Sequence, residues 1–388
     1  MRLLFILIAC LGALRAESIA LTPDSVVEKG LTALVRLQST EGAIGDGAGI
    51  TALSGMALLS GGHTPTRGKY RDASAKALRY VLATQDKMTG YLGSGMGNMY
   101  AHGFATLYLA ECYGMSPDPQ VKRSLEAAID LIHRCQNSEG GWRYMPAPLD
   151  ADISVTICQV MAIRAANNVG IGGERNQQVM AKAIGYVRRC ANTDGSFNYT
   201  AAAGGGWGTN GAEGVPRCAA GTMCLIGAGI HDTADPVLGP SLRFLQRNVE
   251  AHLTGKGDWY WYGQYYAAQA LFHSPDPKDW DRYWDKAWKA IAALQGEDGQ
   301  WQQPESYGPA YGTAMALIIL QIPNNYLPIF QRGAIRPGRI APKRSLPARL
   351  GAGTARAPPS ARGRRSRPAV ADGGAGTSRA GVAPRTAG

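Results

Sequence analysis

The chain has 388 residues, 45% of them hydrophobic, a composition typical of a globular protein and not of a disordered or polytopic membrane protein. Its formal net charge of +11 comes from residues 333–388, which hold twelve of the 40 Lys and Arg residues and one of the 29 acidic residues. Residues 1–332 therefore carry 28 basic and 28 acidic groups, and this balance excludes a basic nucleic-acid groove on the folded part.

The N-terminus has the features of an export signal. Arg2 precedes the apolar run Leu3–Leu14, and Ala16 and Ala20 follow as candidate cleavage positions. The run is shorter than the about 20 apolar residues that a membrane span needs. We therefore expect residues 1–20 to be a signal peptide and the protein to be exported to the periplasm or the extracellular space, with peripheral membrane contact as a further expectation.

Residues 21–332 contain one pattern six times: an apolar helical stretch runs into a loop with Gly or an aromatic residue. The marker positions in these loops are Gln38, Gln85, Gln136, Ala191, Gln246 and Gln295. Their spacings of 47, 51, 55, 55 and 49 residues accommodate two helices of ordinary length with their connections. The sequence therefore predicts six helix-pair repeats.

A second apolar helix is predicted after each loop. These second helices are predicted at Ile50–Leu59, Ala101–Tyr113, Ile153–Ala166, Cys218–Ala228, Tyr262–Phe272 and Tyr311–Leu320. They are almost uncharged, whereas the first helices carry Lys and Arg on one side, as in Ala75–Thr84 and Ala181–Arg189. A helix that is apolar all round is buried and an amphipathic one lies outside. We thus expect an all-α protein with two concentric layers, because no alternating strand pattern occurs.

Residues 333–388 form a basic tail that we expect to be disordered. The tail has no Phe, Trp or Tyr and consists mainly of Ala, Gly, Pro, Arg and Ser, so it cannot bury enough apolar surface to fold. Three interpretations stay open: a solvated tail, a polybasic arm for nucleic acid or anionic surfaces, and an out-of-frame end of a GC-rich gene.

The cysteines do not indicate a disulfide framework or a metal site. Six remain after residue 20: Cys112, Cys135, Cys158, Cys190, Cys218 and Cys224. They are spread through apolar helical patterns, so buried free thiols are expected. No Cys-x-x-Cys or His-x-x-x-His spacing occurs, and the sequence calls for no metal and no cofactor.

The pattern Gln-x-x-x-Gly-x-Trp, seen at Gln136–Trp142 and Gln295–Trp301, resembles the repeat of squalene and oxidosqualene cyclases and of protein prenyltransferase β subunits. The similarity covers about residues 21–332. It implies an (α/α)6 toroid, a closed ring of six inner and six outer helices. In that fold Gln136 and Trp142 would tie one outer helix to the next loop. The zinc site of the prenyltransferases is not expected, because its Asp-x-Cys pair is absent.

In such a ring the leading ends of the inner helices meet at one mouth, so the residues there are the candidate site. These residues are Tyr100, His102, Asp150, Asp152, Arg217, Cys218, Trp261, Tyr262, Gln264, Tyr265, Tyr266, Tyr307 and Tyr311. The aromatic members are candidates to line a cavity and stabilise cations or stack on sugars, and core packing is the alternative. Cys218 is a further candidate ligand contact, and His102 is either catalytic or a hydrogen-bonded structural residue.

The segment Asp150-Ala151-Asp152-Ile153-Ser154 resembles the Asp-x-Asp-Asp-Thr motif of class II terpene cyclases. The resemblance implies that Asp152 is the acid that protonates an alkene or epoxide, with Asp150 as its neighbour. Ile153 replaces the third acid and Ser154 stands where Thr is usual. The alternative is helix capping by these side chains.

Three functions follow from these features. The first is a ring that binds a hydrophobic, isoprenoid-like small molecule such as a polyprenyl or terpenoid compound, with cyclase-type acid chemistry at Asp152; as an enzyme it would be a cyclase or prenyltransferase-like. The second is a non-catalytic binding or scaffold ring. The third is carbohydrate processing, with Asp150, Asp152, His102 and Tyr262 as the acid/base set.

Overall fold

The computed structural model describes residues 21–93, 98–202, 211–255, 257–302 and 307–331. The expected signal peptide at 1–20 and the basic tail at 333–388 lie outside the described residues. All described residues belong to one compact unit, Met1–Ala341. Within the described ranges the regular structure is helical, and β-pairing is limited to isolated bridges in the loops.

The described residues form twelve α-helices in two alternating sets. The amphipathic set is α1 (Pro23–Arg36), α3 (Arg71–Ala83), α5 (Pro119–Cys135), α7 (Gly173–Cys190), α9 (Leu238–His252) and α11 (Pro277–Ala293). The apolar set is α2 (Gly47–Ser60), α4 (Met99–Met115), α6 (Ile153–Asn168), α8 (Val215–Gly227), α10 (Tyr260–Phe272) and α12 (Gly308–Leu320). Every apolar helix begins at the predicted residue or up to three residues earlier.

The apolar helices form a closed inner ring. Each packs against the next in chain order, and α12 packs against α2. In α2 every residue from Thr51 to Ser60 is buried, as an inner helix requires. The ring is also closed on its outside, because the Gln295 amide at the end of α11 donates to the carbonyl of Val26 in α1 (3.1 Å). The predicted (α/α)6 toroid is confirmed.

A glutamine side chain joins successive outer helices. The Gln136 Nε2 at the end of α5 donates to the Gly140 carbonyl in its own loop (2.9 Å) and to the Val179 carbonyl in α7 (2.8 Å). Gln38, Gln85 and Gln295 make the same pair of bonds in their repeats. One amide thus satisfies two backbone acceptors and fixes the loop against the next repeat.

The glycine of the repeat is required by its surroundings. Gly140 has a φ of 97°, and a Cβ there would lie less than 3.0 Å from the carbonyl oxygen of Lys182 in α7. The equivalent glycines, each with positive φ and the next outer helix within the same distance, are Gly42, Gly90, Gly195 and Gly299. Only glycine combines this backbone conformation with so close an approach.

The far end of the inner ring is covered by the segment 322–331. The main-chain N–H of Ile329 donates to Glu111 Oε2 (3.3 Å) in α4, and its carbonyl accepts from Arg164 Nη2 (3.2 Å) in α6. The His273 Nε2, after α10, lies 3.2 Å from the same carbonyl. Burial raises the pKa of Glu111 to about 8 and lowers that of Arg164 to about 10. Side chains of α4 and α6 and the residue that follows α10 thus hold the backbone of Ile329 on both sides.

We expect Gln136→Ala to lower the free energy of unfolding by about 2 kcal/mol, because two backbone carbonyls lose their donor. Urea denaturation measures the change. The matched control is Gln178→Ala on the exposed side of α7, which should stay within about 0.5 kcal/mol of the wild type. Equal losses in the two variants would contradict the role given to the repeat glutamine.

Candidate active site

Asp152 is positioned by the repeat loop that precedes α6. The indole Nε1 of Trp142 donates to the Ile132 carbonyl at the end of α5 (2.8 Å), and its main-chain N–H donates to Thr156 Oγ1 (3.2 Å). The Trp142 carbonyl in turn accepts from the main-chain N–H of Asp152 (3.0 Å). The loop that joins the repeats thus also fixes the residue that caps the inner helix α6.

The two carboxyl oxygens of Asp152 have different environments. Asp152 is the N-cap of α6, and its Oδ1 accepts from the main-chain N–H of Val155 (2.8 Å). Its Oδ2 has no hydrogen-bond partner among the described residues, and the Arg143 Nε lies 3.6 Å away. The residue is 0% exposed. Helix capping therefore uses one oxygen and leaves the other for a second role.

Burial raises the pKa of Asp152 to about 6, since a charged carboxylate is poorly solvated there. The amide of Val155, the hydroxyl of Tyr199 and the charge of Arg143 oppose the rise. The carboxyl group keeps its proton to a higher pH than an exposed aspartic acid and has a cation nearby when it ionises.

Asp150 lies further out than Asp152. Its Oδ2 binds the Arg143 Nη1 at 2.7 Å, and its side chain is 59% exposed. The Arg143 guanidinium also lies over the rings of Tyr144 (5.2 Å) and Tyr199 (5.7 Å). Asp150 therefore holds the guanidinium of Arg143, which in turn lies beside Asp152.

Aromatic side chains cross the inner ring beside Asp152. The ring centroids of Tyr100 in α4 and Tyr262 in α10 are 6.5 Å apart, and those of Phe104 and Tyr265 are 6.2 Å apart. Because α4 and α10 are opposite each other in the ring order, these pairs span its interior. Tyr266 lies 4.9 Å from Tyr262 and completes what we call the tyrosine layer: Tyr100, Tyr262, Tyr265 and Tyr266.

Hydrogen bonds connect the tyrosine layer to α6. The Tyr262 hydroxyl donates to the Ser154 carbonyl (3.1 Å), in the first turn after Asp152. The Tyr266 hydroxyl lies 3.4 Å from Cys158 Sγ, one turn further along. The structure therefore brings Asp152 together with the tyrosines at 100, 262, 265 and 266.

His102 is held by backbone groups on both sides of its ring. It is fully buried in α4. Its Nδ1 accepts from the main-chain N–H of Leu92 (3.1 Å), and its Nε2 lies 3.2 Å from the carbonyl of Ala128 in α5. Burial lowers the pKa of its imidazole to about 4. His102 accepts from the N–H of Leu92 in its repeat as Thr156 accepts from the N–H of Trp142 in the next. These contacts are those of a structural residue.

Cys218 stands in the inner helix α8 at the place that His102 takes in α4, since Thr222 bonds to its carbonyl as Thr106 bonds to that of His102. Its buried thiol lies 3.3 Å from the Gly195 carbonyl of the loop and 3.5 Å from the Ser241 carbonyl of α9. The Ser241 carbonyl corresponds to the Ala128 carbonyl beside His102. The thiol is directed at the outer layer, away from the tyrosine layer.

Five further candidates have contacts of their own. The Trp261 indole donates to the Gln302 carbonyl (3.2 Å), and Gln264 bonds with His252 and Tyr283. Tyr311 packs on Tyr307, which packs on the exposed Trp259. Arg217 is partly buried and interacts electrostatically with Glu213 and Tyr199.

Sequence reasoning missed Arg143, Tyr144 and Tyr199. A signal for the tyrosines is present, because Trp142-Arg143-Tyr144 and Phe197-Asn198-Tyr199 occupy the same place in two neighbouring repeats. Their hydroxyl oxygens are 2.6 Å apart. The internal repeat alone could have paired them.

The described residues contain no group of three or more His, Cys, Asp and Glu side chains arranged to hold a metal ion. Among the helices of these same residues, none combines the length and apolarity that crossing a bilayer demands.

The fold and site define an α/α toroid with a buried acid beside tyrosines. Residues 50–249 match the model of the prenyltransferase α/α toroid domain, and the chain belongs to this family. No curated protein matches the chain.

Three solved structures share the fold. A variant of the type II terpene cyclase MstE from Scytonema, in complex with geranylgeranyl dihydroxybenzoate, has 14% identity and a TM-score of 0.54, covering 79% of this chain and 98% of its own. The cellobiose 2-epimerase from Spirochaeta thermophila has 14% identity, the same coverage and a TM-score of 0.58. An α-1,6-mannanase of Salegentibacter has 8% identity and a TM-score of 0.57, covering 77% and 98%. At these identities the likeness is one of fold alone.

We expect Asp152→Asn to gain stability over the wild type as the pH rises. Folded Asp152 binds its proton more tightly than the unfolded chain, so its contribution is largest below the ordinary pKa of 3.8 and is lost as the pH rises through about 6. The difference between the two pKa values, 3.8 and about 6, corresponds to about 3 kcal/mol of stability lost by the wild type. Asparagine keeps the helix cap, and urea unfolding from pH 4 to pH 8 measures the divergence.

The control is Asp118→Asn, at the N-cap of α5, because this side chain is exposed and its replacement removes no buried charge. A stability curve for Asp152→Asn that runs parallel to the wild type would show that the carboxyl is not held in a poorly solvated site.

Proposed function

We propose that the protein binds a polyprenyl or terpenoid-like molecule at the mouth of the inner ring, and that Asp152 starts cyclase-type chemistry on it. The observation that carries the proposal is the Asp152 Oδ2, a buried carboxyl oxygen that accepts no hydrogen bond from the described residues, 3.6 Å from the Arg143 Nε and next to the tyrosine layer. Export to the periplasm or extracellular space is part of the proposal and rests on the N-terminal sequence alone.

The environment of Asp152 suits an acid that protonates an alkene. Such an acid must keep its proton until the substrate is bound, and burial favours the protonated form. The proton passes from Oδ2 to an alkene carbon, the π pair forms the new C–H bond, and the other carbon becomes a cation. Arg143, 3.6 Å from Oδ2, stabilises the carboxylate that remains. Arg143 thus provides compensation for the missing third acid at Ile153.

The tyrosine layer suits the carbocation that this step creates. The faces of aromatic rings attract cations, most strongly where water is excluded. Tyr262, Tyr265 and Tyr266 are buried and stacked edge to face beside Asp152. An apolar chain on this layer would have the acid at one side and aromatic rings beneath it.

The similar solved structures give precedents for this fold and no more. One of them is a terpene cyclase in complex with geranylgeranyl dihydroxybenzoate, so a ring of this fold can hold such a molecule. The other two act on sugars. For this chain the carbohydrate set loses two members, because the His102 nitrogens bind backbone groups and Asp150 pairs with Arg143 at the surface.

A second candidate is a ring that binds its ligand without converting it. The observation in its favour is that the tyrosine layer spans the ring interior through the pairs Tyr100–Tyr262 and Phe104–Tyr265. A ligand would then lie between the mouth and the tyrosine layer and would not pass through the whole ring.

The test begins with organic extraction and native mass spectrometry of the purified protein. We expect a retained isoprenoid, and at least about tenfold less of it in Tyr262→Ala, since this ring contributes much of the apolar and cation-binding surface. Tyr326→Ala is the matched control, because Tyr326 is an exposed tyrosine in the segment at the far end of the ring.

The acid step is tested by incubating wild type and Asp152→Asn with linear isoprenoid alcohols and analysing products by gas chromatography. We expect the wild type to form cyclic products and the variant to bind without forming them. Binding without products in both would favour the second candidate. No retained isoprenoid and no binding of the alcohols would contradict both candidates.

A further inference from the structure

Asp152 has no contact with solvent, yet an acid that gives up its proton must be protonated again before the next turnover. We propose that the hydroxyl groups of Tyr199 and Tyr144 form the proton path between Asp152 and water, with Arg143 as the residue that positions them. The need for this path in turnover rests on the proposed function, whereas the path itself is a property of the ligand-free protein.

Of the side chains around Asp152, we infer that Tyr199 is the one that passes the proton toward water. The titratable and charged side chains that act on its carboxyl are Arg143, Tyr199, Tyr100, Cys158, Tyr186, Cys190 and Tyr262. Tyr262 and Cys158 are bonded within the interior. The interaction of Tyr199 with Asp152 lowers the pKa of the acid and raises that of the phenol. Arg143 also reaches the surface, but a guanidinium does not give up its protons. Among the described residues, the hydroxyl that leads outward is therefore that of Tyr199, which is bonded to Tyr144.

The outer part of the path is a short hydrogen bond. The hydroxyl oxygens of Tyr199 and Tyr144 are 2.6 Å apart, and Tyr144 is 41% exposed. The path therefore runs from a buried carboxyl, through a partly buried phenol, to a phenol in contact with water.

The two tyrosines are anchored at both main chain and ring. The Tyr199 carbonyl accepts from the main-chain N–H of Ile153 (3.0 Å), and the Tyr144 carbonyl accepts from that of Met99 (2.9 Å). Each tyrosine is thus tied to the first residue of an inner helix. The Arg143 guanidinium lies over both rings and is itself held by Asp150.

The transfer balances without a co-reactant. After Asp152 has lost its proton, Tyr199 gives its hydroxyl proton to the Asp152 carboxylate, Tyr144 gives its own to the Tyr199 oxygen, and water gives one to Tyr144. Each O–H bond that breaks is replaced by one that forms, so the net change is one proton from water to the carboxylate. Rotation of the two hydroxyls resets the path.

The experiment follows the Asp152 carboxyl by 13C NMR in ligand-free protein labelled at the aspartate Cγ, with Asp152→Asn to assign the signal. Line shapes through the titration near the pKa of about 6 give the rate of proton exchange. We expect Tyr144→Phe to slow exchange about tenfold or more with an unchanged pKa, because Tyr144 does not touch the acid. Tyr199→Phe should slow it similarly and also raise the pKa.

Tyr186→Phe is the matched control. Its hydroxyl is buried near Asp152 and interacts with the thiol of Cys190, which is itself buried, so it does not lead to water and its removal should leave the exchange rate unchanged. Circular dichroism and thermal melting establish that each variant is folded. A merely structural role for Tyr144 would alter stability and leave the exchange rate as in the wild type.

Wild-type exchange rates in both Tyr144→Phe and Tyr199→Phe would overturn the path, and so would equal slowing in Tyr186→Phe. Either result leaves isoprenoid binding untouched, since no ligand is present in the measurement. Slowed exchange in a protein that binds no isoprenoid would keep the path and overturn the proposed function instead.

Discussion

The structure depends on the bond that four of the six repeats make to the next through a single glutamine amide. At Gln136 the amide binds one carbonyl in its own loop and one in the following outer helix. Gly140 permits that approach, because any side chain there would meet the backbone of α7. The same arrangement at Gln295 joins the last repeat to the first. A linear row of helix pairs becomes a closed ring because the last repeat carries the same bond as the first three.

This bond also determines where the chemistry lies. The loop that Gln136 fixes continues through Trp142, whose carbonyl holds the main chain of Asp152. The acid is therefore placed by the structural motif and buried by the ring that the motif closes. Burial opposes ionisation, while the cap bond from Val155 and the charge of Arg143 support it. The protonated and ionised forms of the carboxyl are therefore equally populated near pH 6, which suits a group that transfers protons. The burial of the ionised form costs stability.

The architecture was predictable because it is periodic, and the site was predictable only in part. The repeat and the uncharged second helices predicted the ring and its inner layer, and the motif at Asp152 predicted an acid whose role stays a prediction. His102 and Cys218 stand at one position of their inner helices, where Thr156 stands in the third repeat. Single-residue reasoning could not distinguish a bond to the backbone at that position from a contact to a ligand. Arg143 could not be found by composition, because its role comes from a 3.6 Å approach to Asp152 that only the folded loop creates.

Asp152 is, on this account, a buried acid whose proton is lost only near pH 6, well above the ordinary range of an aspartic acid. Infrared difference spectroscopy of wild type against Asp152→Asn reports that proton directly, through the C=O stretch of a protonated carboxyl in a poorly solvated site. The account predicts a band present at pH 5 that disappears with a midpoint near the pKa of about 6. A carboxyl already ionised at pH 5 would contradict it.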